Sequence, residues 1–589
     1  MGRRTIDADS VAEAYLALLA DRGIDYLFGN AGTDFASIIE ALSKSALGEG
    51  DVPLPTPIMV PHENLAVAMA HGYYVVSGRP QAVMFHVNVG TANGICGVAN
   101  AARDNVPLLF TSGRTPINEG GVLGARNNFI HWGQEMFDQA GMLREFVKWD
   151  YELRGAEQLE TVVDRALNMA MTEPRGPIYL SLPREVLASP ANGAAGGGFA
   201  YDSPSRHQPA SPPGPDTAAV AQAAEWLAGA EKPLIVTVAL GRDAAAVEAL
   251  GDMAGRFAIP VAQFRPRYVC LPTDHPMHVG YEPKPLLEDA DVILVLEADV
   301  PWIPDLHKLN PEAKVIHAGN DPLFGNIPIR GFPCDLAITA TPRSVLGALT
   351  EAMAPHENEA ADRIAARRGR IAKFREALRR GWREAAQAAG ASSPPGAGWI
   401  ATCLNQAKGE DDIIFCETTL PLGALDFTRP GTYFGVSSAG GLGWGLGASL
   451  GAKLAVPERR IFCVVGDGAY MFGGPTPAHY VSASLDLPVV TVIVNNSMWG
   501  AVRKATLGIH PDGAAARVNR APYTYFEPTP DYEKVVEASG GYGEKVESAD
   551  ELPAALERAI KVVEEEKRQA VLNVITSYDD TQALADSRR

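Results

Sequence analysis

The stretch IFCVVGDGAYMFGG, residues 461–474, decides the reading of the fold. A β-branched apolar run closes on Gly-Asp-Gly, which predicts a strand presenting the Asp467 carboxylate at the carboxyl edge of a parallel sheet, where open α/β folds bind ligands. The glycines let a phosphate group approach the main chain. One such tripeptide is a weak signal. The next apolar run, LPVVTVIVNN (487–496), strengthens it by ending on Asn495-Asn496. Neighbouring strand ends bring Asp467 and Asn496 together as hard oxygen ligands, suited to Mg²⁺ bridging phosphates rather than to Zn²⁺. The bland alternative is two loops with ordinary turn residues; strand context and spacing favour the ligand pair.

Working outward, DIIFCE (412–417) and AVLNVITS (570–577) supply further strands of a block running from 396 to the end. The first 188 residues alternate helix-like and strand-like stretches, among them VAEAYLALLADRG (11–23), YLFGN (26–30), AVMFHVN (82–88) and GPIYLSLP (176–183). Residues 215–352 repeat the rhythm with PLIVTVAL (233–240) and DVILVLEADV (291–300). The predicted architecture is three consecutive α/β domains with mainly parallel sheets and flanking helices. Residues 189–214, rich in Gly, Ala, Ser and Pro, read as a linker without structure of its own. Residues 353–395 read as a helical connection, an Arg-rich helix with Ile364, Ile371, Leu378 and Trp382 on one face, clamped between domains. The polar tail from Tyr578 is expected to fray.

The 589 residues are 46% hydrophobic and 21% charged, an ordinary globular composition. A net charge of −19 repels nucleic acid and anionic lipid, so neither is an expected partner. The amino terminus has no sustained apolar core of a secretory signal, and the chain is read as cytoplasmic. Six scattered cysteines without a CxxC pair fit buried thiols in a reducing compartment.

Three more stretches carry candidate chemistry. In MVPHENLAVAMAHGYYVVSG (59–78), Glu63 opens an apolar helix; on the residues alone it either complements the helix N-terminus or is a functional carboxylate. In VMFHVNVGTANG (83–94), His86 ends a strand, where a satisfied structural histidine is the commoner case. SSAGGLGWGLGASLGAKL (437–454) is a glycine-rich helix entry, by itself a weak phosphate-loop look-alike.

Taken together these motifs resemble the diphosphate and metal motif of thiamine diphosphate (ThDP) enzymes, and nearly the whole chain resembles their pyruvate oxidase and decarboxylase branch. The resemblance implies pyrimidine-binding, central and diphosphate-binding domains in that order, with ThDP and Mg²⁺ as cofactors. It implies Asp467, Asn496 and the Met498 carbonyl as metal ligands. Thr418, Thr419, Gly466, Gly468 and Ala469 would lie along the diphosphate, and Gly441 and Leu442 beneath the bent cofactor. Glu63 would hydrogen-bond the aminopyrimidine N1′, with His62 as a structural neighbour. His86 would face the substrate, as in benzoylformate decarboxylase, and Thr33 would lie beside the substrate carboxylate.

Departures matter too. Pro304 stands where that decarboxylase has a second active-site histidine, with His307 three residues on, and Ala505 stands where acetolactate synthases have an acceptor-selecting tryptophan. Gln134 and Lys148 resemble the synthase pattern. The function implied is carbon–carbon bond cleavage or formation through a C2-carbanion and enamine, foremost 2-oxo acid decarboxylation. An acetolactate synthase-like carboligase, a 2-hydroxyacyl-CoA lyase with Arg503-Lys504 as its nearest basic pair, and a non-catalytic protein of the same fold are the alternatives. Substrates would be small 2-oxo acids, acyloins or 2-hydroxyacyl-CoA thioesters. The resemblance also implies a homo-oligomer, at least a dimer and foremost a tetramer, in which the first block of one subunit meets the third block of another.

Overall fold

A computed structural model describes residues 2–49, 52–192, 198–392 and 394–577. The chain forms two compact units: residues 1–211 with 437–458 and 471–487, and the remainder.

In the first unit, β1 (Gly2–Ile6) is followed by β2 (Tyr26–Asn30), β3 (Thr56–Met59), β4 (Ala82–Phe85), β5 (Leu109–Arg114), β6 (Asp150–Glu152), β7 (Ile178–Pro183) and β8 (Phe199–Ser203). Strands β2 to β7 make one parallel sheet in the order β3-β2-β4-β5-β7-β6. Continuous burial along β4 and β7 matches a parallel sheet covered by helices on both faces. The stretch read as a linker is partly structured: β8 pairs antiparallel with β1, from Gly2 opposite Ser203 to Ile6 opposite Phe199. Phe199 and Tyr201 supply the apolar side chains that the neighbouring glycines lack, and both are buried.

The second unit holds two parallel sheets. The first is built from β9 (Pro233–Thr237), β10 (Val261–Gln263), β11 (Val292–Leu296), β12 (Lys314–Gly319) and β13 (Leu336–Thr339), in the order β10-β9-β11-β12-β13. The second comprises β14 (Ile413–Glu417), β15 (Tyr433–Gly435), β16 (Ile461–Gly466), β17 (Val490–Asn495), β18 (Tyr542–Val546) and β19 (Ala570–Ile575), in the order β15-β14-β16-β17-β19-β18. All pairings in these two sheets are parallel. The three predicted α/β layers are therefore present. The Arg-rich helix, Ala361–Gly390, buries Ile364 and Ile371, and also Arg367. The Arg367 guanidinium donates to the carbonyls of Leu227, Ala230 and Phe257, at the ends of two helices, where a cation complements the dipoles. The expected fraying of the tail falls on residues outside those described.

The glycine-rich stretch has a packing role that phosphate-loop logic misses. Gly447 and Gly451, four residues apart on helix Trp444–Ala455, face helix Glu63–Ser77. A Cβ on Gly451 would overlap the Met69 carbonyl, and one on Gly72 would overlap the Ala448 backbone. Backbone thus meets backbone with no side chain between. Gly451→Ala is expected to destabilise the first unit by about 1–3 kcal/mol through overpacking. Gly347→Ala, on an exposed turn of helix Pro342–Met353 with open space around its Cβ, should instead add up to about 1 kcal/mol. Urea unfolding of the two variants checks the contrast.

Candidate functional site

In the second unit, β14, β16 and β17 lie side by side, so the residues just past their carboxyl ends gather along one edge of the sheet. Thr418 and Thr419 come after β14, Asp467-Gly468-Ala469 after β16, and Asn496 to Met498 after β17. The Met498 N–H donates to Asp467 Oδ2 at 3.2 Å and to Asn496 Oδ1 at 3.1 Å. One amide therefore draws two side-chain oxygens of the predicted ligand set to the same point. Asp467 is 2% exposed, and burial lifts its pKa to about 6 against the opposing pull of main-chain N–H groups from Gly468, Met498 and Ser497. No ion pair among the described residues involves it. A buried carboxylate ringed by amides and facing no basic side chain suits a hard cation.

The loop after β17 is held by a buried polar chain. Glu533 Oε2 accepts from Asn573, whose Oδ1 accepts from Asn495, whose own Oδ1 accepts from the Ser497 N–H. Ser497 takes a left-handed φ of 55°, fixed further by Thr529 donating to its hydroxyl at 2.7 Å. Gly468 is obligatory here, since a Cβ would run into the Trp499 indole. Thr418 sits beside Gly466, while Thr419 is exposed. Glu533 and Asn573, and the bracing role of Asn495, escaped the sequence reading because the partners lie up to 78 residues apart.

In the first unit, Glu63 is the first residue of its helix, capped by His62, whose Nδ1 accepts from the Leu65 N–H. Glu63 Oε1 accepts from Asn30 at 2.8 Å, and Oε2 accepts from Asn93. Two side-chain amides thus hold both oxygens of a buried carboxylate, and no local sequence signal marks either of them. The next residue, Asn64, donates to the Leu442 carbonyl, and Asn100 brackets Gly441 through both its N–H and its carbonyl. Leu442 is therefore anchored one residue from Glu63, within one chain.

His86 follows β4 directly, with Nδ1 at 2.6 Å from Asp34 Oδ1 and Nε2 at 3.1 Å from the Gln134 amide nitrogen. The Asp34 hydrogen bond raises its pKa above the ordinary histidine value, burial opposing and the charges of Asp34 and Glu63 adding. Thr33 is exposed and opens the turn that carries Asp34. Of the pair resembling the synthase pattern, only Gln134 reaches His86; Lys148 instead donates to the Met169 and Thr172 carbonyls. In the second unit, Pro304 and Ala505 are exposed, and His307 is a local brace, accepting from the Ile303 N–H and pairing with Glu282 at 3.1 Å. Arg503 is buried and donates to Asn519 at 2.5 Å.

A carboxylate with a pKa raised from 3.8 to about 6 weakens the fold as pH climbs through that interval, by about 3 kcal/mol for two units. Asp467→Asn is therefore expected to raise the unfolding midpoint of the chelated, cofactor-free protein at pH 8. The gain should fade towards pH 4, where the native carboxyl is already protonated. An equal midpoint for both proteins at pH 8 would show that some other group neutralises the carboxylate.

Three family models match consecutive parts of the chain: thiamine pyrophosphate enzyme, N-terminal TPP binding domain, over residues 9–142; central domain, over 220–349; and C-terminal TPP binding domain, over 419–574. A probable 2-ketoarginine decarboxylase of Pseudomonas aeruginosa is 27% identical, covering 86% of each chain. Benzoylformate decarboxylase of the same organism is 27% identical over 84% of this chain and 87% of its own. The acetolactate synthase large subunit of Haemophilus influenzae is 25% identical over 94% and 92%. In fold, the chain superposes on the 4-hydroxybenzoylformate decarboxylase of Rhodococcus jostii RHA1 with a TM-score of 0.75 at 22% identity, covering 97% of this chain and 100% of the other. With the three domains in order and the strand-end oxygens and the Glu63 carboxylate in place, the chain belongs to the thiamine diphosphate-dependent enzymes.

Proposed function

We propose that the protein is a ThDP- and Mg²⁺-dependent 2-oxo acid decarboxylase. The observation that carries the metal part is the convergence of Asp467 Oδ2 and Asn496 Oδ1 on one amide. With the Met498 carbonyl they offer three hard oxygen donors to a cation that also holds a diphosphate. Bound ThDP supplies the nucleophilic carbon and the electron sink. Glu63, held by Asn30 and Asn93, offers its carboxylate to the protonated face of the pyrimidine. The glycines at 466 and 468 leave the main chain open to phosphate oxygens. His86 moves a proton to and from the substrate.

The preference for decarboxylation rests on His86, which has a titratable ring and a raised pKa. The two Pseudomonas aeruginosa relatives carry decarboxylase names, which accords with it. Pro304 in place of a second histidine points away from benzoylformate itself. The carboligase reading draws on Gln134, which sits against the same imidazole.

A homo-oligomer, at least a dimer and foremost a tetramer, is proposed with it. The segment 122–137 leaves Val122, Leu123, Phe129, Trp132 and Phe137 exposed, more apolar surface than a monomer ordinarily shows in one stretch. A cytoplasmic location is proposed as well, in accord with six scattered cysteines that form no CxxC pair.

The protein, loaded with Mg²⁺ and ThDP, is tested against a panel of 2-oxo acids, acyloins and 2-hydroxyacyl-CoA thioesters. CO2 release from a single 2-oxo acid with stoichiometric aldehyde supports the proposal. Acetolactate-type products would establish the carboligase, and thioester cleavage alone would overturn both. On the best substrate, His86→Ala should lower turnover by about 10² or more, the usual scale for a proton-transfer group, and leave ThDP affinity near that of the parent.

A further inference from the structure

Asp34 is 3% exposed, and both its oxygens are committed. Oδ1 lies 2.6 Å from His86 Nδ1, and Oδ2 accepts the Val87 N–H at 3.1 Å. Two glycines make room for this arrangement. A Cβ on Gly113 would occupy the Asp34 carboxylate, and one on Gly32 would occupy the imidazole. Val87 has a φ of 33°, a left-handed conformation that a β-branched residue adopts only under constraint. Its amide is the one that Asp34 holds, so the carboxylate pins the strained residue next to His86. A plain helix cap would need one oxygen; the second is spent on the ring.

A carboxylate on Nδ1 makes that nitrogen the N–H donor and leaves the lone pair on Nε2. Gln134 faces Nε2, and its own Oε1 is buried without a hydrogen-bond partner. The amide can therefore donate N–H to the neutral ring. After a half-turn it can accept the N–H of the charged ring through the oxygen that is otherwise unused. The remaining charged or titratable groups facing the imidazole are Glu63 from its helix and His131 from the short helix before Gln134; Arg126 and Arg184 act on His131.

We propose that Asp34 and Gln134 are positioning residues that make His86 a two-state proton carrier. Asp34 fixes the Nδ1–H tautomer, Nε2 takes a proton from water and gives it to the reacting substrate, supplying the one proton that loss of CO2 from a 2-oxo acid anion consumes, and Gln134 hydrogen-bonds Nε2 in both states. The proposal rests on the placement of His86 at the substrate, but its test does not require turnover.

The ring nitrogens of ¹⁵N-histidine-labelled holoenzyme identify the tautomer, with the His86 signals assigned by their loss in His86→Gln. The expected result is a neutral ring protonated at Nδ1, titrating above the ordinary value of about 6.5. In Asp34→Asn, the midpoint should fall below that of the parent protein and the Nε2–H tautomer should appear. The acid limb of the kcat–pH profile should move with it while ThDP affinity stays unchanged. An Nε2–H tautomer in the parent protein, or an unmoved midpoint in Asp34→Asn, would overturn the proposal, and the first of these needs no variant to fold. If no 2-oxo acid is turned over, the decarboxylase reading fails while the ring signals still decide the role of Asp34.

Discussion

The constraint on which the site depends is the burial of carboxylates that no lysine or arginine neutralises. Taking an ionised carboxylate from water into a protein interior costs several kcal/mol unless charge or hydrogen bonds compensate. At Asp467 the compensation is main-chain amides at the end of β16, and it is incomplete, because the pKa stays near 6. At Glu63 it is the side-chain amides of Asn30 and Asn93. Amides hold a carboxylate in place without cancelling its charge. That leaves Asp467 able to meet a cation and Glu63 able to meet a heterocycle with a proton to share.

Much of the surrounding architecture maintains these two conditions. The buried chain from Glu533 through Asn573 and Asn495 to Ser497 crosses three neighbouring elements, so the loop after β17 cannot shift without breaking buried hydrogen bonds. The close contact of helices Glu63–Ser77 and Trp444–Ala455 gives Asn64 its reach to the Leu442 carbonyl. Asp34 holds the histidine and the strained residue after it with one side chain.

A feature is legible in the sequence to the extent that its signal is local. Continuous apolar runs ending in Gly-Asp-Gly or Asn-Asn announce parallel strands and where they stop, and β16 and β17 lie where that reasoning puts them. The pairing of β1 with β8 joins segments almost 200 residues apart, one of them embedded in glycine, so no local period reports it. Strand β15 has only three residues, and β18, Tyr542–Val546, has no apolar run to set it apart from loop. Asp34, Asn30 and Asn93 look in the sequence like turn and helix-surface residues, and only the fold shows which side chains they meet. Gly447 and Gly451 look like a phosphate loop, yet their spacing of four is also that of one helix face, and a second helix lies against it.

The central claim is that Glu63 activates the bound cofactor. It is tested most directly by hydrogen–deuterium exchange at C2 of ThDP bound with Mg²⁺, read by quenched-flow NMR in the parent protein and in Glu63→Gln. Rapid exchange is expected in the parent. Exchange slower by about 10² or more is expected in the variant at undiminished cofactor affinity, since an amide keeps the shape and loses the proton-sharing oxygen. Equally fast exchange in both proteins would contradict it.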